Sequence, residues 1–221
     1  MASFLAYRGE HGDEPLLSRL GSFAFVDSVG VAAYHSLQGN HPTQPPPRVR
    51  RVLECVLTIE NPLVNTPEHD TVSVETVCQK VGRDAGERLV LLQAHRLLTT
   101  RSWKAALAGQ KGSLAQLLEE DFERVACLPL PVQALLDCPQ SVAELRKAGI
   151  DGAIYHGSGV SLDTVECRVV GLDQVRLKGV YLTPDGMSMT RALSQPCMDV
   201  NDLEKVLPWA PSARRAFPSL R

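Results

Sequence analysis

The alternation of apolar and polar positions is clearest between Val52 and Ile59. Leu53, Cys55, Leu57 and Ile59 fall on one face while Glu54 and Thr58 fall on the other, so the spacing predicts a strand that Asn61-Pro62 ends. Phe4 to Tyr7 reads as a shorter first strand ending at Arg8-Gly9. Phe23 and Phe25 share a face by period two in a second strand, Ser22 to Val26. Asp27 or Ser28 is then placed to cap a short helix over Val29 to Ser36. A further helical turn or two is expected at Leu16 to Leu20. Gly39 to Pro47 holds Pro42, Pro45, Pro46 and Pro47, which fix φ and lack N–H groups, so it reads as a loop. The basic cluster Arg48, Arg50 and Arg51 that follows is read as a solvated loop or edge, with a phosphate contact as the other reading.

The middle of the chain changes period. Val74, Val77, Cys78 and Val81 recur at helical spacing within Thr71 to Val81, closed by Gly82, and a second helix is expected from Asp84 to about Thr99. Ser113 with Gln116 forms a capping box ahead of a stripe of Leu114, Leu117, Leu118, Phe122 and Val125. Ser141 with Glu144 reads as another capping box, opening a helix that ends at Gly149. Period two then returns. Ile150 to Tyr155 is a strand, Gly157-Ser158-Gly159 a loop, and Val165 to Val170 a strand with Val165, Cys167 and Val169 on one face. Val175 to Leu182 is the last strand, and the segment from Pro184 is irregular, with a helix possible at Val200 to Leu207. Strands at both ends with helices between them give an α+β fold, not a regular βαβ alternation.

The 221 residues are enough for a full core, as one domain with an extension. A net charge of −2 does not indicate a nucleic-acid-binding face. No apolar run approaches the roughly 18 residues of a membrane span, and the first residues lack the pattern of a Sec signal peptide. Six cysteines, of which the closest two, Cys127 and Cys138, stand eleven apart, form no CxxC and read as reduced thiols of a cytosolic protein. Neither they nor the six histidines show metal-ligand spacing, so no metal is expected.

Three features bear on chemistry. Arg8 beside Gly9 could grip a phosphate or carboxamide through its planar, always charged fork, the glycine allowing close approach, or could be a surface arginine. The aromatics near the second strand and its helix, Phe23, Phe25 and Tyr34, could stack on a flat ring or simply pack the core. Glu166 and Arg168 project to the face opposite Val165 and Cys167. There Glu166 is either a solvated group or a cleft carboxylate that stabilises cationic character or holds a hydroxyl.

These pieces, in this order, resemble the ADP-ribosyltransferase fold of toxins and related phage and bacterial proteins. Phe23 to Tyr34 is similar to the family's FFFTDSPEVAAYY stretch, and Val52 to Leu63 to its strand ending in Asn-Pro-Leu. Leu145 to Tyr155 is similar to LKKAGYDGVIY, and Val165 to Val175 to EYVVFDPEQIK. The resemblance covers roughly residues 4 to 180 and is nearest to the transferase domains of phage polyvalent proteins and secreted effectors. It implies a split mixed sheet in residues 1–183, a helical insertion at about 71–147, and an irregular extension over 184–221.

It also implies a mono-ADP-ribosyltransferase that takes NAD as substrate, cleaves its nicotinamide glycosidic bond and passes ADP-ribose to a macromolecule, a protein by expectation. An NAD glycohydrolase and an inactive binding module are the alternatives. Glu166 matches the catalytic glutamate, which holds the nicotinamide ribose and favours the oxocarbenium-like transition state. Arg8 and Gly9 take the first-motif position that holds NAD. Ser22, Phe25 and Tyr34 fall in the second motif, around nicotinamide. The sequence departs from the pattern at Val26, where a Thr is usual, at Cys167 in place of Tyr, and at Gly171 in place of an aromatic. Thr164 stands where arginine-directed transferases carry a second acidic or amide side chain, which points away from arginine as acceptor. Without a Sec-like start, the expected location is the cytoplasm, or a host cell reached by a specialised secretion route.

Overall fold

Ten residues from Arg50 to Ile59 form the strand that organises the molecule, and the expected alternation buries Leu53, Cys55 and Leu57 completely. In the computed structural model, residues 2–11, 20–37, 50–109, 112–157 and 164–183 are described. Among them nine strands and nine helices follow in the order β1 (Ala2–His11), β2 (Phe23–Val26), α1 (Val29–Leu37), β3 (Arg50–Ile59), β4 (Pro62–Thr66) and β5 (Thr71–Ser73). The helical stretch comes next: α2 (Val74–Val81), α3 (Arg83–Leu92), α4 (Ala94–Leu97), α5 (Arg101–Ala106), α6 (Leu114–Glu120) and α7 (Glu123–Ala126). It continues through β6 (Pro129–Pro131), α8 (Val132–Leu136) and α9 (Pro139–Lys147), before β7 (Gly152–His156), β8 (Val165–Val169) and β9 (Val175–Leu182) close the chain of elements. The fold is α+β. The turn expected over Leu16 to Leu20 lies largely outside the described residues. The proline loop, Ser158-Gly159 and the segment from Pro184 lie wholly outside them.

Seven strands form one mixed sheet in the order β4-β7-β8-β2-β1-β3-β9, in which only β4 and β7 run parallel; β5 and β6 pair separately. β1 lies along the whole of β3, from Ala2 opposite Ile59 to His11 opposite Arg50. It meets β2, by contrast, at a single pair, Tyr7 opposite Val26. This is the shortest ladder in the sheet, with β4-β7-β8-β2 forming one half and β1-β3-β9 the other. Side chains of both halves share one buried cluster, with Phe23, Phe25, Cys167 and Val169 from one half and Ala6, Leu53, Cys55, Leu57 and Val180 from the other. A Cβ added at Gly152 of β7 would lie 3.0 Å from Ile59 Cδ1 of β3, which shows how closely the halves approach.

Helices cover the outer faces. α1 begins where Ser28 Oγ accepts from Val31 N, as the sequence predicts, and buries Val29, Ala32 and Leu37 with Tyr7, Val52 and Tyr181. The helices from α2 to α9 bury Leu63, Ala153 and Tyr155 of the other half beneath Leu89, Leu118 and Leu135. Trp103 is wholly enclosed there and donates its indole N–H to Pro129 O at 2.8 Å, which removes the cost of burying that donor. The Ser113–Gln116 capping box forms as expected.

Several expectations are corrected. β1 runs on through Arg8 and Gly9 to His11, so Arg8 sits inside a strand and not at its end. The polar residues Arg8, Glu10 and His11 look like a terminus, but the paired strand β3 and the Glu10–Arg51 ion pair hold them extended. Arg50 and Arg51 correspondingly belong to β3, and Arg51 is buried, not solvated. Ser141 caps nothing: Pro139 opens α9 two residues earlier, because its fixed φ and missing N–H suit the first turn. Ser141 Oγ instead accepts from Gln93 Nε2, and Glu144 pairs with Arg88 and Lys147. Gly149 does close that helix at φ +76°, a conformation other residues adopt only with strain.

Candidate active site

Glu166 is set by register. It lies opposite Val26 on β2 and Tyr155 on β7, on the face turned toward the helices, while Val165, Cys167 and Val169 point into the cluster between the half-sheets. Its side chain is 8% exposed. Oε1 accepts from Tyr155 Oη at 2.5 Å and from Arg168 Nε at 2.9 Å. Oε2 takes no hydrogen bond among the described residues, and Glu166 lines a cleft of about 310 Å³. One carboxylate oxygen is thus held, and the other is available to a ligand.

The groups that hold Oε1 keep their protons. Burial, reinforced by the charge on Glu166, pushes the Tyr155 phenol well above its usual range, so it remains a donor. Burial alone would pull Arg168 down. The surrounding Tyr155, Glu166 and Asp137 outweigh it and hold the guanidinium as a cation. Arg168 also donates from Nη1 to Asp137 Oδ1 at 2.7 Å and reaches Ser22 Oγ at 3.4 Å. Arg168 is thus shared between Glu166, which lines the cleft, and Asp137 behind it.

Arg8 forms the opposite wall, where β1 and β2 diverge beyond the Tyr7–Val26 pair. Its Nη1 reaches across the gap to Ala24 O at 3.0 Å, and its Nε pairs with Glu10 at 2.9 Å. Its guanidinium carbon stands 5.9 Å from the ring centres of both Phe23 and Phe25. Nη2 has no partner among the described residues. A planar cation resting on two rings, with donors left over, is suited to a phosphate or a carboxamide.

The cleft brings together five of the residues that the sequence points to: Arg8, Gly9, Phe25, Glu166 and Arg168. Two others stand apart. Ser22 is buried behind Arg168 and donates to Leu136 O at 2.6 Å, so it ties β2 to the helices. Tyr34 lies on α1 against the cluster of Tyr7, Val52 and Tyr181, edge-on to His35, and it is His35 that lines the cleft. Gly9 lines the cleft, but its missing Cβ makes room for α1: a Cβ there would fall 1.8 Å from Ala32 O. Phe25 is fully buried beneath Arg8, with little ring face to offer.

Tyr155, Asp137 and Gln133 of α8 were not singled out from sequence. Arg168 was legible through its period-two relation to Glu166. Asp137 and Gln133 arrive from the helical segment and leave no local signal. A larger groove, of about 670 Å³, lies at the other end of the sheet, around Glu60, Arg146 and Asp151. Asp151 there is committed to the backbone N–H groups of Glu60 and Asn61, which makes the groove a structural joint. Among the described residues no three His, Cys, Asp or Glu side chains are grouped to hold a metal ion, and no helix is long and apolar enough to cross a membrane.

No family model matches this chain, and no curated protein or solved structure does either.

Proposed function

We propose that the protein is a mono-ADP-ribosyltransferase that uses NAD as its substrate and modifies a macromolecular acceptor, a protein in this reading. The observation that carries it is the pairing across one cleft of a carboxylate with an open oxygen, Glu166 Oε2, and a guanidinium with open donors, Arg8. The narrow junction between β1 and β2 supports reading the sheet as the split core of that fold, and the helices between β5 and β7 as its insertion.

Arg8 would hold the phosphates or the carboxamide of NAD. Glu166 Oε2 would accept a hydrogen bond from the nicotinamide ribose. As the bond between the ribose anomeric carbon and the nicotinamide nitrogen breaks, its electron pair leaves with nicotinamide and positive charge develops on the ribose. A fixed carboxylate beside that charge lowers the barrier without rearranging. The acceptor then attacks the anomeric carbon, forms the new bond to it and releases its proton to solvent.

The test is nicotinamide release from labelled NAD, with and without lysate. Glu166→Gln keeps the shape and removes the charge, and is expected to cost about 10²–10³ in rate, the scale of losing one preorganised electrostatic contact. Label on lysate protein establishes transfer, and ADP-ribose released to water identifies a glycohydrolase. Absence of release by the wild-type protein in every lysate overturns the catalytic reading in favour of a binding module.

A further inference from the structure

The held oxygen of Glu166 depends on a residue of the helical segment. Arg168 is 5% exposed and stands between two carboxylates, with Nε on Glu166 Oε1 at 2.9 Å and Nη1 on Asp137 Oδ1 at 2.7 Å. A guanidinium is planar, so fixing Nη1 also fixes the direction of Nε. The same Nε lies 3.2 Å from Tyr155 Oη, the other group on Oε1. Asp137 and Glu166 thus share one guanidinium, with the shorter of the two Nη1 contacts made to Asp137 and the other to Ser22 Oγ at 3.4 Å.

Asp137 itself is well anchored and near the surface. It follows α8 directly, and its N–H bonds to Gln133 O at 2.8 Å. The end of α8, just before it, is fastened to the residue preceding β2 by Ser22 Oγ on Leu136 O at 2.6 Å. Its side chain is 22% exposed, against 6% for Arg168 and 8% for Glu166. In this chain of contacts it is the member that solvent reaches most readily.

We propose that Asp137 is a positioning residue: acting through Arg168, it holds Glu166 with Oε1 engaged and Oε2 facing the cleft, so the helical segment governs the reactivity of a carboxylate on the sheet. The kinetic part rests on the NAD reading above, and the geometric part does not.

The experiment compares Asp137→Ala, Asp137→Asn, Glu166→Gln and the double variant Asp137→Ala/Glu166→Gln. Asp137→Ala is expected to lower kcat for nicotinamide release about 10–100-fold, the scale of a small misplacement of a reacting group, with KM for NAD changed less than about threefold. Asp137→Asn keeps the Oδ1 acceptor and is expected to recover most of that loss. In the Glu166→Gln background the alanine change is expected to cost nothing more, because residues acting through one another are not additive. Losses that multiply in the double variant overturn the proposal.

A second readout needs no turnover. With glutamate labelled by ¹³C at the side-chain carboxyl, the Glu166 resonance is assigned by its disappearance in Glu166→Gln. It is expected to move in Asp137→Ala and to stay near its wild-type position in Asp137→Asn. A resonance unmoved in Asp137→Ala overturns the positioning role. A resonance that moves while the wild-type protein leaves NAD intact retires the NAD reading alone.

Discussion

Arg8 joins two parts of the protein with one set of donors. Nη1 bridges the gap between β1 and β2, Nε pairs with the buried Glu10, and Nη2 has no partner among the described residues, in a side chain that lines the cleft. A lysine has one point charge and no fork, so it cannot hold Ala24 O, pair with Glu10 and meet a phosphate together. Arg8→Lys is expected to raise KM for NAD about tenfold, roughly 1.4 kcal/mol, with a smaller change in kcat. Stability should fall by about 1 kcal/mol for the lost bond to Ala24, since Glu10 keeps Arg51 as a partner. Steady-state kinetics and urea unfolding separate the two effects. An unchanged KM would mean that Arg8 is only a strut across the junction.

At the scale of elements, α1 lies against the backbone of β1 because Gly9 has no side chain. An added Cβ would stand 1.8 Å from Ala32 O and 2.7 Å from Ser36 N, and both are backbone atoms that cannot turn aside. Gly9→Ala must push α1 outward and is expected to cost about 2–3 kcal/mol, as overpacking a tight contact does. A lower urea midpoint with an unchanged slope is the expected signature. This is also where sequence reading reached its limit. Gly9 beside Arg8 suggests a ligand, but the atom that needs the space belongs to a helix more than twenty residues further along. β3 and β8 were legible because one apolar and one polar face leave a period in the chain. The end of β1 leaves no such period, because its last residues are polar and are held by Arg50 and Arg51 across the ladder. The Ser141–Glu144 pattern was a sound local signal that the stronger one at Pro139 displaced. Glu166 and Arg168 could be found two residues apart. Tyr155 and Asp137 could not, since only the closed sheet and the docked helices bring them to the same carboxylate.

At the scale of the whole molecule, the narrow junction raises the question of whether the two half-sheets unfold together, and the cysteines can answer it. Cys55 lies on β3 and Cys167 on β8, so each half carries one thiol within the shared cluster. Burial pushes the Cys167 thiol up to about 12 and Cys55 higher still, so neither offers thiolate to an alkylating reagent near neutral pH while the fold is closed. Cys78 is buried among the helices. Cys127 is exposed. Burial works against ionisation of Cys138, but hydrogen bonds from Ser141, Gln140 and Gln93 outweigh it and lower its pKa. Native alkylation followed by peptide mass mapping is therefore expected to modify Cys127 and Cys138 and to spare Cys55, Cys167 and Cys78. In rising denaturant the three protected thiols should become reactive at one common midpoint. The shared cluster joins the half-sheets, and Tyr155, packed under the helices and bonded to Glu166, joins the helices to them. Cys167 reacting ahead of Cys55 would show the sheet opening at the β1–β2 junction. Cys78 reacting first would show the helical segment releasing Asp137, and with it the hold on Glu166, before the sheet gives way.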